Sequence, residues 1–387
     1  MTPFISFYLI RTLPLQCLLR RVIEKYMAIN KSTTVTFDNK KAPFFRALKE
    51  KVDNYFAENN IKPTGNRRLY IKTAVLSITA ISIYTTLVFF TPPIAISVIL
   101  CALFGINLAA IGFNIMHDGG HGSYSRRKWA NEASTYFLNV MGANSYYWKI
   151  KHNINHHTFT NIEGMDNDIQ AEPFMRFHKG QKRYWVHRFQ HLYGILLYGL
   201  TYFTWIFYED FQKYFSGKVV ATGSDKKLSL KEHFIFWGTK LAYAFIYIIL
   251  PIMMVGFVQA MVGFAIIAFV TGVFITVVFQ LAHVVEGTNF PKVTVGGNKI
   301  EEEWAIHQVN TTADFATKNV VATWLLGGLN FQVEHHLFPR ISHVHYPKIH
   351  QFVQETCAQF NVQCIEYRTV RGAVLSHIMY IRRMGRE

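Results

Sequence analysis

The feature that most constrains this chain is a pair of runs, Thr73 to His117 and Leu241 to Val285, each 45 residues long and free of Asp, Glu, Lys and Arg. A helix crossing a bilayer needs about 20 mostly apolar residues at about 1.5 Å rise each. Each run therefore holds two crossings and a tight turn, and turn signals fall near the middle: Thr91-Pro92-Pro93 in the first, Pro251 to Gly256 in the second. A single buried core helix does not account for stretches of this length. The expectation is an all-α integral membrane protein with two transmembrane helical hairpins, hence four spans, at about 73–116 and 241–282. Segments 117–240 and 283–387 then lie together on one side as a helical cap.

Charge says which side. The chain has 40 Lys and Arg against 24 Asp and Glu, a net charge of +16, yet only 17% of residues are charged, where soluble chains average about 25%. Fourteen of the basic residues fall in the first 72 positions, Arg382-Arg383 lie near the C-terminus, and the two hairpin turns carry none. Basic residues stay on the cytoplasmic side of a membrane, so the cap is expected in the cytosol with the hairpin tips outward. The excess charge then needs no nucleic-acid partner and suits anionic headgroups. With 50% hydrophobic residues the chain is not disordered. Cys17, Cys101, Cys357 and Cys364 have no CxxC spacing, which excludes a disulfide scaffold.

Two segments read less directly. Leu192 to Tyr208 is uncharged and rich in Tyr and Trp; a fifth crossing would split the cap, so a helix lying in the interface is expected. Residues 1–26 resemble a weak targeting sequence interrupted by Arg11, with Met27 as a second candidate start. From Thr33 a short extended piece precedes an amphipathic helix over Ala42 to Asn59. The organisation expected is an N-terminal segment, 1–41, and one membrane domain, 42–387.

Of the 17 His, seven fall into three clusters: His117-Asp-Gly-Gly-His121, His152-Asn-Ile-Asn-His156-His157 and Gln332-Val-Glu-His335-His336. None lies inside an expected span. Spacing i, i+4 puts two imidazoles on one helix face, where they can share a metal. His283 stands alone at the end of the fourth span. Eight His supply about four protein ligands to each of two metals. Imidazole suits Zn, Cu, Fe or Ni, so ligand type alone does not choose among them. The chain has no HExxH and no ExxH, which argues against a zinc protease and against the carboxylate-bridged sites of ferritin-like bundles.

HDGGH, HNINHH and QVEHH, interleaved with two hydrophobic hairpins, resemble the three histidine boxes of the membrane fatty-acid desaturases over roughly Ala42 to Arg371. A Gln opening the third box resembles the front-end acyl desaturases, among them linoleoyl-CoA-type enzymes. The resemblance implies that His117, His121, His152, His156, His157, His335 and His336 bind two irons, with His283 and Gln332 as further ligands, and that O2 and two electrons turn a CH2–CH2 pair into a cis double bond. His307 is a candidate for a place on or beside the site, against a packing role. His187 and His191 share the i, i+4 spacing but lie outside the boxes and are read as helix packing or headgroup contacts. Carboxylates that could orient ligating imidazoles are Asp118, Asp166, Asp168, Glu286, Asp314 and Glu334, with Asp166 and Asp168 best placed to fold back.

The substrate implied is an acyl-CoA or acyl-lipid entering an apolar tunnel below the cap. Trp148, Lys149, Lys151, Arg126, Arg127 and Lys128 are candidates for contacting its phosphate, or else are membrane-surface charge. No HPGG haem motif is present, and no GxGxxG follows an expected strand. Electrons are therefore expected from a separate cytochrome b5 or ferredoxin with its reductase, and a bacterial inner membrane is favoured over the endoplasmic reticulum. A related di-iron lipid hydroxylase or sphingolipid desaturase is the alternative on the same scaffold. A His-rich metal transporter or receptor is the alternative outside enzymology, but it should place ionisable residues inside its spans.

Overall fold

A computed structural model of the chain describes residues 35–220, 228–292 and 299–387. The reading of residues 1–26 lies outside them. Among the described residues four helices are long and apolar enough to cross a membrane: Arg67–Phe90, Ile94–His121, Leu230–Val255 and Phe257–His283. In chain order with the cap they are α2, α3, α7 and α8. They overrun the charge-free runs at the cap end, because α2 begins at Arg67 and α3 continues through Asp118 to His121. The first hairpin turns at Thr91, with φ 43°, followed by Pro92 and Pro93. The second turns at Gly256, with φ 88°, while Pro251 stays inside α7. A positive φ of that size is where glycine, lacking a Cβ, fits without strain.

Helices α3 and α8 carry the core of the membrane half. A Cβ on Gly105 would lie 2.8 Å from the Ile267 carbonyl oxygen, and the Thr271 hydroxyl donates to the Gly105 carbonyl at 3.2 Å. Small residues and hydroxyls at such crossings let two backbones approach where no water drives association. Ile71, Ile78 and Ile81 on α2 are exposed, on the face a bilayer would cover.

Helix α6, Gln190–Thr204, holds most of the segment expected to lie in the interface. It is not among the four candidate spans. One face packs along α8, where a Cβ on Gly272 would meet the Gly199 carbonyl oxygen at 2.6 Å. Leu192, Leu196, Leu200 and Phe203 form an exposed apolar stripe on the other face.

In the cap, α1 (Pro43–Glu58), α4 (Lys128–Thr135) and α5 (residues 145–159) precede α6. After the spans come α9 (Trp304–Thr311), α10 (Gln332–Leu337), α11 (Tyr346–Phe360) and α12 (Val370–Met384). Leu48 and Val52 of α1, Val309 of α9, Val333 of α10 and Val353 of α11 meet in one apolar core that seats the third His cluster. Two short parallel ladders tie distant segments: Thr36 pairs with Lys299, and Asp314 with Glu366. Cys357 and Cys364 form a disulfide closing the turn after α11, a single bridge that CxxC spacing did not suggest.

Candidate metal centre

The three His clusters and His283 converge. The ligand nitrogens of His117, His121, His152 and His335 lie within 4.8 Å of one another, and so do those of His156, His283 and His336. His157 bridges the two groups. Its Nε2 is 3.3 Å from His152 Nε2, and its ring stacks on His336 with centroids 4.4 Å apart.

Local sequence explains how each element delivers its side chains. A π-helical turn over Gly112–Met116 precedes His117, and Gly122, with φ 74°, stops the helix directly after His121. The two glycines of the first box are packing requirements: a Cβ on Gly119 would lie 2.7 Å from Ser134 Cβ, and one on Gly120 would lie 2.2 Å from the Trp148 ring. Trp148 in turn stacks on His152 at 4.6 Å and borders His117 and His121. The second box sits in a π-helical stretch, Ile150–His156, of the wide-turned kind that recurs at functional sites. His152 and His156 still share a face there, as the i, i+4 spacing expects, with ring centroids 5.5 Å apart. The i→i+5 closure brings His152 beside His157, while His156 turns to the second group with His283 and His336.

The partners of the outward nitrogens set the direction of the inward ones. His156 Nδ1 donates to Asp166 Oδ2 at 2.9 Å, with both side chains fully buried. His336 Nδ1 donates to Gln308 Oε1 at 2.9 Å, and Gln308 is itself fixed by donating to the His157 carbonyl at 3.1 Å. His335 Nδ1 lies 3.3 Å from the Tyr346 hydroxyl. A proton held on Nδ1 leaves the Nε2 lone pair free for a metal. The Nε2 atoms of His121, His156, His335 and His336 are buried and have no hydrogen-bond partner. Each such orphan costs about 1–3 kcal/mol, so four in one place are tolerated only if something occupies the space between them. The donor set fits metal ions.

Electrostatics agree. Burial, then repulsion from neighbouring imidazoles, pushes His152, His157, His335 and His336 well below the ordinary imidazole value. They are neutral, as ligands must be. Burial acts on His156 in the same sense, but the Asp166 carboxylate outweighs it and holds that imidazole above its usual value.

The other sequence candidates divide. Gln332 points into the site, its amide nitrogen 2.9 Å from His283 Nε2. His307 lies in the cap, where its Nε2 donates to the Thr160 carbonyl at 3.0 Å, which supports the loop after the second box. His187 bonds the Pro173 carbonyl and the Tyr184 amide, a packing role. Asp168 is taken by Lys151 at 2.6 Å, so Lys151 is not free for a phosphate. Asp118 accepts from Ser342 at 2.6 Å and faces His343. Asp314 and Glu334 face His350, and Glu286 pairs with Arg383 at the surface. Sequence reasoning missed Gln308, Thr160 and Tyr346, which no box spacing marks. It also missed Asn161, whose side chain donates to the carbonyls of His283 and Thr311 and so joins the second box to α8 and α9.

Four membrane-length helices and a cap that together gather eight histidines, six of them buried and two, His121 and His152, half-buried, define a class: integral membrane proteins with a histidine-lined metal centre. Residues 90–368 match the fatty acid desaturase family, and the chain belongs to it. It is 37% identical over 368 residues to the sn-1 linoleoyl-lipid 6-desaturase of Arthrospira platensis, covering 92% of this chain and 96% of that one. It is 33% identical to the enzyme of the same name from Synechocystis, covering 89% and 96%. It is also 33% identical to the acyl-lipid (8-3)-desaturase of Physcomitrium patens, covering 92% and 74%. The protein is thus a membrane fatty-acid desaturase, an oxidoreductase of lipid metabolism. None of these relatives is named as a hydroxylase, transporter or receptor.

Proposed function

We propose that His117, His121, His152, His157 and His335 hold one iron and His156, His283 and His336, with Gln332, a second. On this reading the protein inserts a cis double bond near the carboxyl end of an acyl chain carried on a glycerolipid. The observation that carries the reading is the set of orphaned Nε2 atoms turned inward by Asp166, Gln308 and Tyr346. The acyl-lipid and front-end parts rest on the names of the relatives. The balance is R–CH2–CH2–R′ + O2 + 2 e⁻ + 2 H⁺ → R–CH=CH–R′ + 2 H2O.

When bound, the irons supply the oxidising power that unactivated C–H bonds require and that side chains lack. The chain does the rest. Burial keeps the imidazoles of His152, His157, His335 and His336 neutral, and Asp166 and Gln308 fix the tautomers of His156 and His336. The cap core and the packed ends of α3 and α8 shield the reacting methylenes from bulk water. We place the cap in the cytosol of a bacterial inner membrane, because the basic residues lie on that side. A separate cytochrome b5 or ferredoxin with its reductase delivers the two electrons.

The test is expression in a host with a suitable donor, fed linoleate, followed by chromatography of lipid fatty acids. A new double bond on the carboxyl side of the existing ones supports the reading. Unchanged fatty acids in a host whose donor serves a control desaturase would refute it.

A further inference from the structure

A cavity of about 870 Å³ opens from the surface of the cap onto the metal centre. Its inner end is lined by His121, His157 and His336. Its mouth carries Lys128, Lys149 and Arg340, with Glu132 the one carboxylate among its lining residues. Three cations against one carboxylate leave an excess of two positive charges. Elsewhere in the cap the buried and half-buried cations are spoken for: Lys151 pairs with Asp168, Lys213 with Glu209 and Lys240 with Asp210. Lys149 differs. It is half-buried, and desolvation lowers its pKa against the weaker pull of Glu132 and Glu232; among the described residues its ammonium has neither a hydrogen bond nor an ion pair. Arg340 and Lys128 are exposed and likewise unpaired. Keeping a partly desolvated lysine unpartnered beside two more cations is costly unless an anion shares the space.

The position of the cavity sets what that anion belongs to. On the reading above, the new double bond forms a few carbons from the carboxyl end, so the carrier of the acyl chain must sit only a few bonds from the histidines. The cavity spans that gap. Its mouth is polar and basic, unlike the apolar sleeve an acyl tail needs.

We propose that the mouth of this cavity seats the phosphate of the acyl carrier, with Lys128, Lys149 and Arg340 as the cations that meet it. The substrate class is then a phosphate-bearing acyl donor rather than an uncharged glycolipid. Both a phospholipid and an acyl-CoA present that chemistry. The inference rests on the desaturase reading for its substrate but is read by binding, without turnover.

The test compares purified protein with Arg340→Gln, Lys149→Gln and the double variant. Retention of dilinoleoyl phosphatidylglycerol and of uncharged dilinoleoyl monogalactosyl diacylglycerol is measured by native mass spectrometry, and linoleoyl-CoA by equilibrium binding. Losing a charge-assisted contact should weaken phosphate-carrier binding roughly tenfold relative to the galactolipid, with Lys149→Arg retaining the preference. Arg340 is exposed, so its variant folds even if the Lys149 variant does not. A drop confined to phosphatidylglycerol identifies a phospholipid carrier, and one confined to linoleoyl-CoA identifies the thioester. A galactolipid ratio unchanged in every variant overturns the proposal, as does a parent protein that prefers the galactolipid. If the ratio shifts as expected but iron-loaded protein with a donor desaturates none of the three, the phosphate seat stands and the desaturase reading of this site falls.

Discussion

His336 and His377 are both buried histidines on cap helices, and burial depresses the pKa of both. His377 is satisfied on each side: its Nδ1 donates to the Val284 carbonyl at 2.7 Å and its Nε2 meets the Tyr198 hydroxyl at 2.8 Å. His336 is satisfied on one side only, by Gln308, and its Nε2 faces His156, His157 and His283 without a partner. The lesson is that burial alone does not mark a ligand. What marks one is an outward nitrogen fixed by a neighbour and an inward nitrogen left open toward others in the same condition.

Substitution breaks this contrast most sharply. His336→Ala should abolish detectable product and lower the iron content of purified protein. His377→Ala should leave iron content intact. Next in size, Asp166→Asn keeps the shape but removes the carboxylate that orients His156, and outer partners of this kind are worth about 10–100-fold in metal affinity or activity. Iron titration of the variant checks it, and an unchanged affinity would mean that Asp166 only braces the loop through the Asn161 amide.

The outward face of α10 sharpens the comparison through stability. Glu334 precedes His335 but points away from it, to His350, which lies 3.0 Å from Glu334 and 3.2 Å from Asp314. These carboxylates hold the His350 imidazole up at about 11 against an ordinary 6.5, despite burial. A group raised in the folded state stabilises fully below its unfolded pKa and loses that effect as pH climbs toward the folded one. His350→Gln should therefore destabilise by about 3–5 kcal/mol near pH 6, by leaving the buried Asp314 carboxylate without its cation, while Glu334, which burial and then Asp314 push up to about 8, is mostly protonated there. The gap from the parent should narrow as pH rises from 6.5 toward 11. Thermal melts in detergent across pH read it, and a gap that widened with pH would contradict the assignment. Smallest, His377→Phe should cost only about 1–3 kcal/mol from its two lost hydrogen bonds, measured by the same melts.

The spans and the boxes were legible because each is a local pattern. Charge-free length and i, i+4 histidines need no tertiary information, and the turn at Thr91-Pro92-Pro93 followed from backbone chemistry. The grouping of the ligands was not legible. Whether His152 joins His156 or His157 depends on a π-helical turn that no residue type announces. Gln308 and Tyr346 reach the site only because α9 and α11 fold over α10, and the Thr36–Lys299 pairing joins residues far apart in sequence. Lys151 was a fair phosphate candidate by position. Asp168 takes it out of contention through a contact formed when the loop after the second box folds back.

Eight histidines are proposed to hold two irons. The most direct measurement is the iron content of active, anaerobically purified protein and of its His336→Ala and His377→Ala variants. The account predicts about two irons per chain in the parent and in His377→Ala, and fewer, with no product, in His336→Ala. A His336→Ala protein that kept both irons and the parent's products would contradict it.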